Sequence, residues 1–142
     1  MIKPYLQFSI ICLEVYEEEK MPPSFLNVIY EIPVPSFPFK FPAPLFIVNG
    51  WCKGKGEFFQ SMKILNPDKK SVLAETDKQP FTLNEIETPF MNINGLADIV
   101  FEKSGQYWVQ VFLYEKLSEK QEMFIEYPLT LRKADPIPIS TN

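Results

Sequence analysis

In the stretch GQYWVQVFLYEK, residues 105–116, apolar side chains recur at every second position: Tyr107, Val109, Val111 and Leu113. Only an extended backbone puts such residues on one side, because successive strand side chains point to opposite faces. The same period runs through most of the chain. Leu6, Phe8, Ile10 and Cys12 alternate with polar neighbours, and a change of face at Ile11 and Leu13 predicts a bulge. FLNVIYEI places Leu26, Val28, Tyr30 and Ile32 on one predicted face. PLFIVNGW, EFFQSMKIL, SVLAE, FMNINGLADIVF and EMFIEYPLTLRK read as further strands, whereas residues 76–89 read mainly as loop, with an apolar pairing at Phe81 and Leu83. Turn signals separate them: EEEK with Pro22 and Pro23, CKGKGE, NPDKK and LSEK. Seven to nine short strands at this spacing predict an all-β fold, an antiparallel β-sandwich or barrel. Fourteen prolines against five glycines carry the same bias toward short elements and turns.

The most demanding segment is SFPFKFPAP, Ser36 to Pro44, preceded by Pro33 and Pro35. Proline lacks an N–H and is kept out of central strands, so residues 33–44 are expected outside any ladder. Yet Phe37, Phe39 and Phe41 each gain about 1.5–3 kcal/mol from burial. The expectation is a crossover between strands whose alternate phenylalanines cover an open end of the fold. The P-x-x-P spacing of Pro35 and Pro38 leaves a docking peptide as the alternative.

Length and composition bound the rest. A chain of 142 residues suits one domain, expected over 1–134 with a flexible C-terminal tail at 135–142. An apolar share of 46% with 15% aromatics argues against disorder. The net charge of −4 offers no basic footprint, so nucleic acid is not an expected partner. No apolar run approaches the ~18 residues of a membrane span. The first twenty residues read as a strand rather than a signal peptide, and a cytoplasmic location is expected. Cys12 and Cys52 are then expected to be reduced.

Histidine is absent, which removes Ser-His and Cys-His pairs and imidazole metal ligands. Glu85 with Glu87, and Asp98 with Glu102, are carboxylate pairs expected on a wet surface, and Glu57 is expected to bond its own loop. Gly54 to Gly56 is too short for a phosphate loop. No catalytic, cofactor or metal site is expected, and no enzyme. With Tyr107 and its companions inward, Trp108, Phe112 and Tyr114 point outward alongside Gln106 and Gln110. Three outward aromatics form the candidate interface, for a protein partner or a homodimer. A covering loop or tail, or a sugar platform, are the alternatives.

The motifs FPFKFP, GKGEFF and MKILNPDKKSVLA, in this order, resemble an uncharacterised prokaryotic family, a domain of unknown function. The matching features are Asn27 to Ile29, Phe37-Pro38, Gly54-x-Gly56-Glu57-Phe58, Ile64 to Asp68, and Gly105-x-Tyr107, across roughly residues 3–131. The resemblance implies an immunoglobulin-like β-sandwich and no reaction. Pro33, Pro35 and Pro44 depart from the pattern and imply a longer first crossover. In such sandwiches a tyrosine near a strand start bonds a nearby backbone group, a role that Tyr107 behind Gly105 could fill. The sequence therefore predicts an immunoglobulin-like, non-catalytic binding or assembly module acting through protein contacts. A carbohydrate- or small-ligand-binding sandwich is the alternative.

Overall fold

The computed structural model describes residues 1–135. These form twelve strands and no helix. A four-stranded sheet is ordered β2 (Ser24–Val28), β1 (Tyr5–Tyr16), β5 (Leu45–Cys52), β9 (Phe90–Leu96). The second sheet runs β3 (Glu31–Val34), β12 (Gln121–Lys133), β11 (Gly105–Glu115), β6 (Gly56–Leu65). β7 (Val72–Glu75) and β8 (Gln79–Leu83) divide the far edge of β6 between them. A ribbon of β4 (Phe39–Lys40) and β10 (Val100–Phe101) completes the set.

The all-β class is as expected, but the strands exceed seven to nine and the sheets are not wholly antiparallel. β3 pairs with the end of β12 in parallel, Ile32 beside Leu131. Pro33 lies inside β3, contrary to expectation, and this is an edge strand, where a missing N–H faces no partner. FLNVIYEI is not one face: Ile32 is buried, while Leu26, Val28 and Tyr30 are exposed, because the chain leaves one sheet after Val28 and joins the other at Glu31. The bulge in β1 falls between Leu6 and Phe8, not at Ile11. Ile11 and Cys12 are both buried because Ile11 belongs to the core cluster and Cys12 lies on the opposite face. Gln79–Leu83, expected within a loop, is strand β8, and it buries Phe81 and Leu83.

One hydrophobic cluster, from Ile11 to Leu131, fills the space between the two sheets. Phe81 sits at its aromatic centre, with ring centroids 5.8 Å from Trp51, 5.6 Å from Phe58 and 5.1 Å from Phe90. Polar bonds cross the same space. Trp51 Nε1 of β5 donates to Gln60 Oε1 of β6 at 2.7 Å, and Gln60 Nε2 returns a bond to Asn92 Oδ1 of β9 at 2.6 Å. Asn49 Nδ2 adds a longer bond to Gln60 Oε1, 3.3 Å. Ser9 of β1 and Tyr127 of β12 share a hydroxyl bond of 2.8 Å, and burial pushes the Tyr127 phenol up to about 12.

The proline-phenylalanine stretch links β3 of one sheet to β5 of the other. Phe37, Phe39 and Phe41 are half-buried against the core, while Pro38, Lys40 and Pro42 between them are exposed. The packed crossover holds, with one correction: Phe39 and Lys40 pair with Phe101 and Val100, so part of it is ladder. The corner also forms. Tyr107 Oη donates to the Lys103 carbonyl at 2.7 Å, and Gly105 supplies the positive φ of 142° that precedes it. Of the tail expected at 135–142, residues 136–142 lie outside the described residues.

Two stability effects are expected. Gln60→Leu keeps volume but strands the buried Trp51 N–H and weakens the bonding of Asn49 and Asn92, so it should lower unfolding free energy by about 2–4 kcal/mol. An unchanged denaturation midpoint would show that the amide bonds contribute nothing. Phe39→Ala, at a half-buried site, should cost about 1–3 kcal/mol, read as a lower melting temperature. A free docking peptide would show no shift.

Candidate interaction surfaces

β11 is central in its sheet, so its outward row is flanked on both sides. Trp108 lies between Leu65 and Pro128, Phe112 between Ser61 and Met123, and Tyr114 between Phe59 and Gln121. Phe112 and Tyr114 are buried yet stand outside the core cluster, which places them on the outer face as expected. Their cover by lysines was not foreseen. Lys69 Nζ stands 3.8 Å from the Trp108 ring centroid, Lys78 Nζ 4.2 Å from Tyr114, and Lys63 Nζ 5.5 Å from Phe112. Lysine stems lie along apolar surface while the ammonium stays wet, and an aromatic face attracts the cation. Phe112 and Tyr114 retain only 7% and 8% of their accessible surface. Lys69 also donates to Glu126 at 2.8 Å and Gln110 does so at 2.7 Å; together they hold that carboxyl below the usual range. Lys69 lies in the turn after β6 and Lys78 in the segment before β8, so the covering loop weighed from the sequence supplies two of the three lysines.

The other sheet has an apolar outer face of its own. Phe8, Ile10 and Cys12 of β1 register with Gly50, Val48 and Phe46 of β5. Beyond them, Met91, Ile93 and Gly95 of β9 continue the same rows. The two glycines seat rings. A Cβ on Gly50 would stand 2.2 Å from Phe8 Cε1, and one on Gly95 would stand 3.3 Å from Phe46 Cε1.

A hairpin folds over this face. Phe25 of β2 registers with Val15, seven residues beyond Phe8, yet its ring centroid lies 5.9 Å from that of Phe8. A straight β1 would separate the two by about 23 Å. β1 therefore curls beyond Cys12 and carries β2 back across its own outer face. Val15 and Phe25 turn under and are half-buried, and Glu14, Tyr16, Leu26 and Val28 remain outside and exposed. Asn27, at φ 58°, takes the left-handed conformation that asparagine tolerates. Pro23 at the hairpin end closes an apolar cleft of about 250 Å³ with Phe8, Gly50, Phe90 and Met91. Cys12 is fully buried and desolvation raises its thiol pKa. Both cysteines are free. Cys12 faces Phe46 and Cys52 faces Tyr5, at opposite ends of the β1–β5 pairing, too far apart to bridge.

The carboxylates noted in the sequence do not converge. Glu87 pairs with Lys53 at 2.9 Å and Asp98 with Lys40 at 3.4 Å, all exposed, and Glu85 and Glu102 are exposed elsewhere. Glu57 reaches Lys116 at 3.4 Å rather than its own loop. Gly54 abuts Pro4, and Ile2 and Lys55 exchange backbone bonds of 2.7 and 2.8 Å, so the N-terminus occupies the loop. Among the described residues no group of three His, Cys, Asp or Glu is placed to hold a metal ion.

The family model of a family of unknown function, DUF6941, matches residues 7–126. The chain belongs to this family. The DUF6941 span takes in the hairpin, the crossover, the tyrosine corner and the whole of β11, and it ends within β12. The resemblance drawn over roughly residues 3–131 is met at the level of an uncharacterised family with an all-β fold. No curated protein matches the chain.

Sequence reasoning found the β11 row but missed the hairpin stripe. The signal was present in the apolar residues Tyr16, Leu26 and Val28 around an acidic turn, but alternation alone put Leu26 and Val28 on one face with Tyr30 and Ile32. The ring seats make a direct prediction. Gly50→Ala should displace Phe8 and cost about 1–3 kcal/mol, while Gly95→Ala should cost less. Equal denaturation midpoints for the two variants would contradict the seating of Phe8.

Proposed function

We propose that this DUF6941 domain is a non-catalytic binding or assembly module acting through protein–protein contacts. The observation that carries the reading is the hairpin's outer side. Leu26 and Val28 are 42% and 53% exposed, with Tyr16 at 52% on the neighbouring strand. Exposed apolar side chains grouped on one element mark contact surfaces more often than solvated ones. Of the exposed large hydrophobics, Met1, Ile2, Tyr5, Tyr16, Met21, Leu26, Val28 and Tyr30 all fall in the first thirty residues, against five in the remainder of the described chain. Of these, Tyr16, Leu26 and Val28 lie together on the paired strands β1 and β2.

We infer an immunoglobulin-like arrangement, which suits a module of this kind. Two facing sheets, a buried Trp51 and the Tyr107 corner are features such sandwiches share. The free thiols suit a reducing, cytoplasmic setting. A second reading, a small-ligand binder, draws on the apolar cleft at Pro23. At about 250 Å³ it falls below the usual range of about 300–1,000 Å³ for ligand sites.

Leu26→Glu with Val28→Glu should leave the melting temperature within a few degrees, since both sites are exposed. The same pair should remove specific proteins captured by the unmodified domain from its native host, as quantified by mass spectrometry. Identical captured sets for both proteins would overturn the hairpin as the contact surface.

A further inference from the structure

The two outer faces carry opposite chemistry. The hairpin end presents Glu17, Glu18 and Glu19, with Lys20 as its one cation, beside Tyr16 and Leu26, all exposed, and Glu14 is in register with Leu26. The far face, on the six-stranded sheet, presents Lys63 and Lys78 over Phe112 and Tyr114. Among the described residues neither lysine has a carboxylate within ion-pair distance, whereas Lys69 is taken up by Glu126. Glu75 registers with Lys63 and still does not pair with it. Under those two ammonium groups the rings of Phe112 and Tyr114 are already buried, so this face offers a partner its unpaired cations rather than open apolar surface.

Resting on the reading of an assembly module, we propose that the partner of the acidic hairpin is the lysine-capped face of a second copy of this chain. Each surface lacks what the other offers: clustered carboxylates beside an exposed apolar stripe on one, and the unpaired ammonium groups of Lys63 and Lys78 on the other. Pairing either surface with itself would set like charges against each other, which charge complementarity selects against. A two-fold dimer is therefore disfavoured. The two surfaces lie on opposite outer sides of the facing sheets, so the contact is head-to-tail and can repeat. An anionic membrane is a poorer occupant, because three glutamates stand beside the exposed apolar stripe.

Sedimentation of the full chain tests this. The unmodified protein should show a weight-average mass that rises with concentration through the micromolar range without stopping at a dimer. Association should weaken at least tenfold in about 1 M salt, where screening shortens to about 3 Å. One variant carries Glu17→Lys, Glu18→Lys and Glu19→Lys; another carries Lys63→Glu and Lys78→Glu. Each alone should remain monomeric, and their equimolar mixture should associate again, because each then supplies the surface the other needs. The salt series on unmodified protein stands independently should the lysine variant fold poorly. A protein that stays monomeric at high micromolar concentration, a dimer that survives in both variants, or association insensitive to salt would overturn the proposal. The first outcome leaves the assembly-module reading to be judged by the Leu26 and Val28 capture experiment, which does not depend on self-association.

Discussion

The bond from Trp51 Nε1 to Gln60 Oε1, 2.7 Å long and fully buried, joins the two sheets at a point where neither partner has water to turn to. An indole N–H left unpaired in a core costs about 1–3 kcal/mol, so the position of β5 over β6 follows from meeting this requirement. The same amide serves Asn49 and Asn92, and Asn92 Nδ2 passes the chain of bonds to Gln79 of β8 at 3.1 Å. Three strands from two sheets, β5, β6 and β9, are thereby joined through the Gln60 side chain, and Asn92 adds β8. Apolar contacts around Phe81 tolerate small slips; a hydrogen-bonded amide does not.

That fixed spacing has consequences at the ends and on the outer faces. Once the sheets are set apart by their core, the gap at one end must be closed. The crossover does so with half-buried Phe37, Phe39 and Phe41, and its prolines keep it extended. The edge strand β3 accepts Pro33 for the same reason that no central strand would: its N–H side has no partner to lose.

Both sheets also turn apolar residues outward, and each is covered differently. On the six-stranded sheet the cover consists of single lysine stems, which shield rings while adding charge. On the four-stranded sheet it is backbone: the curled hairpin lies over Phe8, and the glycines beneath Phe8 and Phe46 let the rings settle on the sheet. The molecule thus leaves the unpaired Lys63 and Lys78 over buried rings on one face and a run of glutamates beside an exposed apolar stripe on the other. That asymmetry is a property of the covers, not of the strands beneath them.

Much of this was legible in residues 105–116, where alternation named the inward set of β11 and Gly105-x-Tyr107 announced the corner that the Lys103 carbonyl completes. Alternation reports which side chains share a face because it follows from the geometry of a single strand. It carries no information on what lies across that face. Leu26 and Val28 have the same period as core residues and are exposed, because the sheet they belong to curls away from the core. Phe112 and Tyr114 have the period of surface residues and are buried, because Lys63 arrives from β6 and Lys78 from the loop before β8. The parallel pairing of β3 with β12 joins segments from opposite ends of the chain and leaves no local trace. The sequence by itself determined most of the strands and the packed crossover, both consequences of local stereochemistry and composition. Tertiary structure alone decided which apolar faces stay open and which charges border them, because covering a surface requires residues brought there from elsewhere in the chain.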